Sequence, residues 1–326
     1  MANYLLTGAA GFIAFRVAEL LVESGHQVYG VDNLNDAYDI RLKEYRLKRL
    51  QALPAFHFLK ADISERAIID ALMAWLPEQI DGVINLAARA GVRTSLTDPW
   101  VYVDTNMTGT LNLLELCRHH PVGKFVLAST SSLYAEESEP PFKESDDTDH
   151  PLQPYAASKK GAEAMAFAYH HLYDIDVTVL RYFTVYGPAG RPDMVMFRFC
   201  QWIAEGRPVV VNGDGEQSRG FTYLDDIARG TIQALQPMGY QVINLGGHEV
   251  ITINHLIRML EERIGKRAQV TFAPFHPADV HTNQADVTRA NQILSWEPQV
   301  NLEEGVSRLV DWYMREREWA SLVETP

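Results

Sequence analysis

A short apolar run, Asn3 to Thr7, leads straight into Gly8-Ala9-Ala10-Gly11-Phe12-Ile13-Ala14. A helix-competent stretch with Val17, Leu20 and Leu21 on one side follows as far as Gly25, and a second apolar run, Gln27 to Asp32, closes the unit. Strand, glycine turn, helix and strand in this order leave few folds open, because a parallel β-α-β unit has to bury its strands beneath helices. The first glycine permits the tight turn, and the second lets main chain approach a pyrophosphate at the helix N-terminus. Asp32 ends the second strand, where a carboxylate accepts hydrogen bonds from both ribose hydroxyls of an adenosine. A carboxylate there repels a 2′-phosphate, so the expected dinucleotide is NAD rather than NADP. Ala14 stands where a third glycine is frequent, and alanine is tolerated in this pattern.

The alternation continues. Further strands are predicted over Ala55–Lys60, Gly82–Leu86, Lys124–Ala128 and Asp176–Arg181. Helices are predicted over Ile40–Leu53, Ser64–Leu76, Pro99–His120 and Pro154–Tyr173. The arginines and lysines of Ile40–Leu53 read as a solvated face. Asp62-Ile63 follows the third strand, where an acid can meet an adenine amino group, and Leu86-Ala87-Ala88 follows the fourth with small residues beside which a flat cofactor can lie. The fifth strand delivers Ser129-Thr130-Ser131-Ser132 at its carboxyl end. This is the pattern of an α/β, Rossmann-type doubly wound parallel sheet, with ligands beyond the strand C-termini. An acidic, proline-containing loop over Glu136–Gln153 is placed at the site entrance. After Tyr182 the rhythm breaks at Gly187-Pro188, Gly190 and Pro192, and Gly213–Gly220 and Ala273–Asn283 read as turn-rich insertions. Leu224–Leu235 and Gln241–Leu245 look regular enough to rejoin the first sheet. The expected division is a dinucleotide domain over 1–183, with 224–247 crossing back to it, and a smaller α/β substrate lobe over 184–326.

With 326 residues, 47% of them hydrophobic, the chain can bury a large core. Its net charge of -13 argues against nucleic acid or an anionic membrane as the main partner. Cys117 and Cys200 offer neither a disulfide framework nor a metal-binding spacing. No apolar run reaches membrane-spanning length and no signal-like segment opens the chain, so a cytoplasmic setting is expected.

The chemistry is concentrated in Tyr155-Ala156-Ala157-Ser158-Lys159. A helix brings residues four apart onto one face, so the phenol and the ammonium point the same way. A free tyrosine ionises near pH ~10, and making it a base near neutrality takes roughly 4 kcal/mol. One cation at ~4 Å, in a medium of effective dielectric ~20, supplies about that much.

On these residues the chain resembles the extended short-chain dehydrogenase/reductase family, within it the nucleotide-sugar epimerases, and among those the UDP-glucuronate 4-epimerases. The resemblance runs nearly end to end. It rests on Thr-Gly-Ala-Ala-Gly-Phe-Ile (7–13), Val-Asp-Asn-Leu-Asn (31–35), Ala-Gly-Val-Arg (90–93) and Tyr-Ala-Ala-Ser-Lys (155–159). Arg-Tyr-Phe-Thr-Val-Tyr-Gly-Pro (181–188), Gly-Arg-Pro-Asp-Met (190–194) and Phe-Thr-Tyr-Leu-Asp-Asp (221–226) extend it. It implies that Gly8, Gly11, Phe12 and Ile13 hold the NAD pyrophosphate, Asp32, Asn33 and Asn35 the adenosine ribose, and Asp62 and Ile63 the adenine. Tyr155 is then the base. Lys159 binds the nicotinamide ribose and lowers the tyrosine pKa, and Thr130 bridges Tyr155 and the sugar 4-hydroxyl. Arg93, Thr184, Arg191, Arg219 and Asp279 fall where such enzymes hold the nucleotide diphosphate and sugar. Gly220 departs from an aspartate frequent beside the phosphate arginine.

Ser131 and Ser132 separate this chain from relatives. Nucleotide-sugar 4,6-dehydratases carry an Asp-Glu pair there, and decarboxylases of UDP-glucuronate a glutamate at the second position. Two small hydroxyl donors fit a cavity that admits a negatively charged sugar. The implied reaction is NAD-dependent oxidation and reduction at C4, converting UDP-glucuronate to UDP-galacturonate. A 4-epimerase of UDP-glucose or UDP-N-acetylglucosamine shares the same catalytic residues. UDP-glucuronate decarboxylation, or NAD binding without turnover, are the further alternatives. A homodimer paired through Pro99–His120 and Pro154–Tyr173 is expected, and no metal.

Overall fold

The computed structural model describes residues 1–134, 139–247, 249–275 and 282–326. In chain order it begins with β1 (Asn3–Thr7), α1 (Phe12–Glu23), β2 (Gln27–Asp32), α2 (Ile40–Gln51), β3 (Phe56–Lys60), α3 (Ile68–Trp75) and β4 (Gly82–Asn85). A single turn α4 (Trp100–Tyr102), a π-helical segment (Val103–Thr108) and α5 (Gly109–His119) lead to β5 (Phe125–Thr130). Then come α6 (Pro154–Tyr173), β6 (Val177–Tyr182), β7 (Thr184–Tyr186), α7 (Val195–Glu205), β8 (Pro208–Asn212) and β9 (Ser218–Tyr223). After α8 (Leu224–Gln233) and β10 (Tyr240–Leu245) follow β11 (Val250–Thr252), α9 (Ile253–Ile264), β12 (Gln269–Ala273) and β13 (Thr282–Asn283). Helices α10 (Thr288–Leu294), α11 (Leu302–Arg315) and α12 (Arg317–Ala320) finish the chain.

The doubly wound sheet expected from the alternation is present, with seven strands in the order β10-β6-β5-β4-β1-β2-β3, all pairings parallel. Strands β4, β5 and β6 are buried at every position, which is why they read as mainly apolar runs without polar alternation. Leu6, Val17, Leu21 and Val28 pack on one face, and Leu5, Val83, Leu113 and Ala166 on the other. Strand order reverses between β1 and β4, and such a reversal opens a crevice at the strand C-termini. The buried Thr7 hydroxyl donates to Asn85 Oδ1 (2.8 Å), and Asn85 Nδ2 donates to Thr110 Oγ1 (3.0 Å), fixing the two strand ends beside the crevice.

A second apolar core gathers Phe197, Trp202, Phe221, Leu256, Val306 and Trp312 from α7, β9, α9 and α11. Strand β9 is flanked by β7, β11 and β13, and β12 pairs with β8. Leu42 of α2 also belongs to this core, and Tyr45 packs on Trp319 with ring centroids 4.9 Å apart. Helix α2 therefore bridges the two cores.

Four sequence expectations change. The basic face of α2 is not uniformly solvated: Lys48 and Arg49 are exposed, but Lys43 is 5% and Arg46 0% exposed. Cationic residues read as outward-facing in an amphipathic pattern, and only tertiary partners turn them inward. The helix expected over Pro99–His120 is interrupted by the π segment, whose wider turn points Asn106 into the interior. The helix expected from Ser64 begins at Ile68, because Asp62 accepts from Ser64 N (2.8 Å) and Oγ (2.7 Å) and holds a turn there. The Gly213–Gly220 insertion gives way to β9 from Ser218, where strand partners are available on both sides. The predicted insertion Ala273–Asn283 lies largely outside the described residues.

Candidate active site

The crevice floor is the Gly8–Gly11 turn. Gly8 has φ +68°, a left-handed conformation that favours glycine, and a Cβ there would sit 2.8 Å from the Ala87 backbone. A Cβ on Gly11 would lie 2.7 Å from Gly8 O. Gly11 also caps α1 without a side-chain hydrogen bond, leaving the first helical N–H groups, Phe12 and Ile13 among them, available to an anion. This open strip between β1 and α1 is the cradle a dinucleotide pyrophosphate needs, and the residues present fit NAD.

At the end of β2, buried Asp32 accepts from Ala10 N (3.1 Å) and Leu34 N (2.8 Å). Asn33 Nδ2 donates to Asp62 Oδ2 (2.7 Å), joining the ends of β2 and β3. Burial works to raise the Asp62 carboxyl pKa, but hydrogen bonds from Ser64 and Asn33 outweigh it and hold the pKa below its ordinary value. Lys43 Nζ donates to Asn35 Oδ1 (2.8 Å) and stands 4.0 Å from Asp32, its pKa lowered by burial against the pull of Asp32. Ile63 is buried against Gly109, and Leu86, Ala87 and Ala88 run from the end of β4 past the cradle. The sequence-assigned cofactor residues thus lie along one edge of the sheet.

Strand β5 ends in buried Thr130, which accepts from Ser132 N (3.1 Å) and donates from its hydroxyl to Ser132 Oγ (3.2 Å). Tyr155, in the first turn of α6, is partly buried, with its ring edge-on to Tyr102 at 6.0 Å. Burial raises the phenol pKa above its ordinary value, while the Thr130 hydroxyl and then the Arg191 charge pull it down. Lys159 Nζ donates to Ala128 O (2.9 Å). Burial pulls its pKa down to about 8, and the Glu163 charge pulls upward. Arg191 is thus a cation acting on the phenol that the sequence reading did not name.

Behind Lys159, Glu163 accepts from Ser129 Oγ (2.5 Å) and from Arg181 Nε (3.1 Å) and Nη2 (2.8 Å), all of them buried. Neither Glu163 nor Asn106 was assigned a role from sequence. Asn106 Nδ2 donates to Ser158 Oγ (2.9 Å) and Arg89 O (3.0 Å), tying the π segment to α6. A lone amide within a predicted helix, where asparagine is a poor former, was the only available signal.

On the substrate side, Arg191 Nε and Nη2 donate to both oxygens of Asp193 (3.0 and 2.5 Å). Thr184 and Arg219 lie on paired strands, Thr184 opposite Phe221. Arg219 stands opposite Asn283, whose Nδ2 donates to Ser131 Oγ (3.2 Å). Arg219, Asn283 and Ser131 thus form a line from β9 to β5, and Asn283 carried no sequence signal. Arg93 is exposed, with its guanidinium within 2.7 and 3.2 Å of the Asn212 side-chain amide oxygen at the end of β8. At Gly220, where the resemblance makes an aspartate frequent, a Cβ would lie 2.8 Å from Gly247 O and 3.2 Å from Asn283 O. Asp279 lies outside the described residues. Among those described, no cluster of three or more His, Cys, Asp or Glu residues could hold a metal.

A glycine cradle at the switch point of a doubly wound sheet, with Tyr155 and Lys159 beside it on one helix, defines the extended short-chain dehydrogenase/reductase class. The chain belongs to the family described as GDP-mannose 4,6 dehydratase, whose model matches residues 5–309. It is 55% identical over 313 residues to a UDP-glucuronate 4-epimerase of Thermodesulfobacterium geofontis, an alignment covering 96% of each chain. It is similar to the crystal structure of UDP-glucuronic acid 4-epimerase from Bacillus cereus with UDP-glucuronic acid and NAD, at TM-score 0.90 and 37% identity, covering 96% of this chain and 99% of that one. A UDP-glucose 4-epimerase from Thermotoga maritima with UDP-glucose also matches, at TM-score 0.89 and 32% identity, covering 97% and 99% of the two chains.

Proposed function

We propose that this chain is an NAD-dependent 4-epimerase that interconverts UDP-glucuronate and UDP-galacturonate, with Tyr155 as the group that moves the proton. The observation that carries the reading is Tyr155 hydrogen-bonded to Thr130 at the end of β5, with Lys159 one turn along α6 reaching Ala128 O of the same strand, and Ser131 and Ser132 where the resemblance places carboxylates in relatives of other activity. When bound, NAD supplies the reversible hydride acceptor that the side chains lack.

The chain's own work is to hold the sugar 4-hydroxyl and move its proton. Tyr155 takes it, with Thr130 as the hydroxyl that bridges phenol and sugar. Burial alone keeps the phenol protonated, so the positive charges of Lys159 and Arg191, with that of an oxidised nicotinamide ring, would have to bring it into range. Lys159 holds the nicotinamide ribose; Asp32, Asn33 and Asn35 hold the adenosine ribose; Asp62 and Ile63 hold the adenine. Arg191 and Arg219 grip the diphosphate while Thr184 and Arg93 line the route to it, leaving the 4-keto sugar free to turn over and be reduced on its opposite face. Asp279 is assigned to the same side. A 4-keto uronic acid is a β-keto acid prone to losing carbon dioxide. Hydrogen bonds from Ser131, Ser132 and Thr184 hold its carboxylate out of line with the ketone π system.

The assignment of a substrate lobe to 184–326, with 224–247 crossing back, draws support from a second core of Phe197, Phe221 and Trp312 and from Ile227, Ile243 and Leu245 packing in the first. We also assign a homodimer, paired through Pro99–His120 and Pro154–Tyr173, for which Trp100 of α4 (76% exposed) and Phe167 of α6 (53% exposed) supply apolar contact surface. A cytoplasmic location accords with two buried thiols, Cys117 and Cys200, whose pKa values burial raises, and with the absence, among the described residues, of a helix long and apolar enough to cross a membrane. The test of function is to incubate the purified protein with UDP-glucuronate, without added cofactor, and identify the product by NMR. UDP-galacturonate is expected. Release of carbon dioxide with formation of a UDP-pentose, or turnover of UDP-glucose alone, would replace this reading.

A further inference from the structure

Helix α2 carries a guanidinium that the proton-transfer chemistry does not use. Arg46 is 0% exposed, and among the described residues every hydrogen bond it makes ends on a neutral oxygen. Nη1 donates to Ala10 O (3.0 Å) and to the Tyr38 hydroxyl (2.7 Å). Nε donates to Ala189 O (3.1 Å), and Nη2 to Ala189 O (2.6 Å) and Gly190 O (3.3 Å). The guanidinium also lies 5.8 Å from the Phe12 ring centroid and 5.6 Å from that of Tyr38.

The positions of these acceptors matter more than their number. Ala10 lies within the glycine cradle, while Ala189 and Gly190 immediately precede Arg191. Ala189 has φ +54°, a left-handed conformation that a residue with a Cβ adopts at a cost, and its carbonyl receives two of the Arg46 bonds. A cation stripped of water and lacking a carboxylate is expensive to bury. A neutral amide could tie two loops together at less expense, so the charge itself is informative. The rigid five-donor fork reaches both loops at once, and its positive charge sits behind the two segments meant to face a pyrophosphate and a diphosphate.

We infer that Arg46 is a positioning residue that couples the two ligand sites. It holds the cradle and the Arg191 loop as one piece, so that seating NAD pre-orders the grip on the nucleotide diphosphate. This rests on the proposed assignment of Arg191 to that diphosphate. Because coupling between two binding sites is reciprocal, UDP must then tighten NAD binding by the same factor that NAD tightens UDP binding.

The experiment titrates NAD into the nucleotide-free full-length chain by calorimetry, with and without saturating UDP, and records melting temperatures for every variant. In the wild type, UDP is expected to tighten NAD binding by at least about fivefold, the low end of common coupling factors. In Arg46→Met the ratio should fall below about twofold, even where the protein remains folded. Arg46→Lys keeps the charge but cannot span both loops, so its ratio should also fall below that of the wild type; it decides the matter if Arg46→Met fails to fold. A purely structural arginine would lower the melting temperature and leave the ratio of the folded variants unchanged, which overturns the inference. A wild type that binds both ligands without coupling overturns it too, with the epimerase reading intact. A wild type that binds NAD but not UDP removes that reading, and this inference with it.

Discussion

Replacing Glu163 by glutamine keeps its shape and removes one buried negative charge. The carboxylate receives Ser129 Oγ at 2.5 Å and two Arg181 nitrogens at 3.1 and 2.8 Å, and the Arg181 and Glu163 side chains are 5% and 6% exposed. Breaking such a pair from one side leaves an uncompensated buried cation and costs about 3–5 kcal/mol. At roughly 2–4 °C per kcal/mol for a protein of several hundred residues, the melting temperature should fall by about 6–20 °C. A second effect reaches the site. Burial already pulls Lys159 down to about 8, and Glu163 is the charge that resists it. Without that charge the lysine pKa falls further, and less of Lys159 is charged near neutrality. Scanning calorimetry and the pH profile of kcat/KM between pH 6 and 9 read the two effects separately. A drop in melting temperature together with an alkaline limb moved to lower pH is expected. Pairing Glu163→Leu with Arg181→Met should recover stability, because the buried cation is then gone, but should not restore the limb. A folded Glu163→Gln protein with an unmoved alkaline limb would refute the electrostatic link from Glu163 to Lys159.

Other changes probe the rest of the site. Gly8→Ala places a methyl 2.8 Å from the Ala87 backbone at φ +68°; it should cost about 2–4 kcal/mol in strain and overpacking and leave the purified protein with little bound NAD, read by nucleotide release on denaturation. Lys159 has a folded-state pKa below that of an unfolded lysine, so the unfolded chain binds more protons between about 8 and the free-lysine value near ~10.4, and this group adds stability as pH rises through that window. The melting temperature of wild type relative to Lys159→Met, both free of nucleotide, should therefore climb over that range; a flat difference would contradict it. Ser132→Glu brings a carboxylate toward the proposed uronate carboxyl and should raise KM for UDP-glucuronate at least tenfold, equivalent to about 1.4 kcal/mol of repulsion, while UDP binding measured by calorimetry holds.

Most of the sheet was legible from the chain because parallel strands buried on both faces leave mainly apolar runs, as β4, β5 and β6 do. The candidate site was readable where the proposed function demands a residue type at a fixed register: Gly8 and Gly11 at a turn, Asp32 at a strand end, Tyr155 and Lys159 one helical turn apart. What escaped was decided by partners distant in sequence. Arg46 turns inward because carbonyls of residues 189 and 190 wait there. Asn283 meets Ser131 across 152 positions of chain, and the π segment that turns Asn106 inward leaves no mark in an amphipathic pattern. The pull of the Arg191 charge on Tyr155 left no sequence signal either, since it comes from a residue distant in the chain.

The central claim is that one phenol moves the proton while the dinucleotide stays in its cradle. Tyr155→Phe, assayed by NMR for conversion of UDP-glucuronate with its NAD content measured on the same sample, tests this most directly. Turnover lowered by roughly 100- to 10,000-fold with NAD content unchanged is the expected outcome, matching the usual contribution of a general base. Near-normal turnover in a protein that still carries NAD would contradict it.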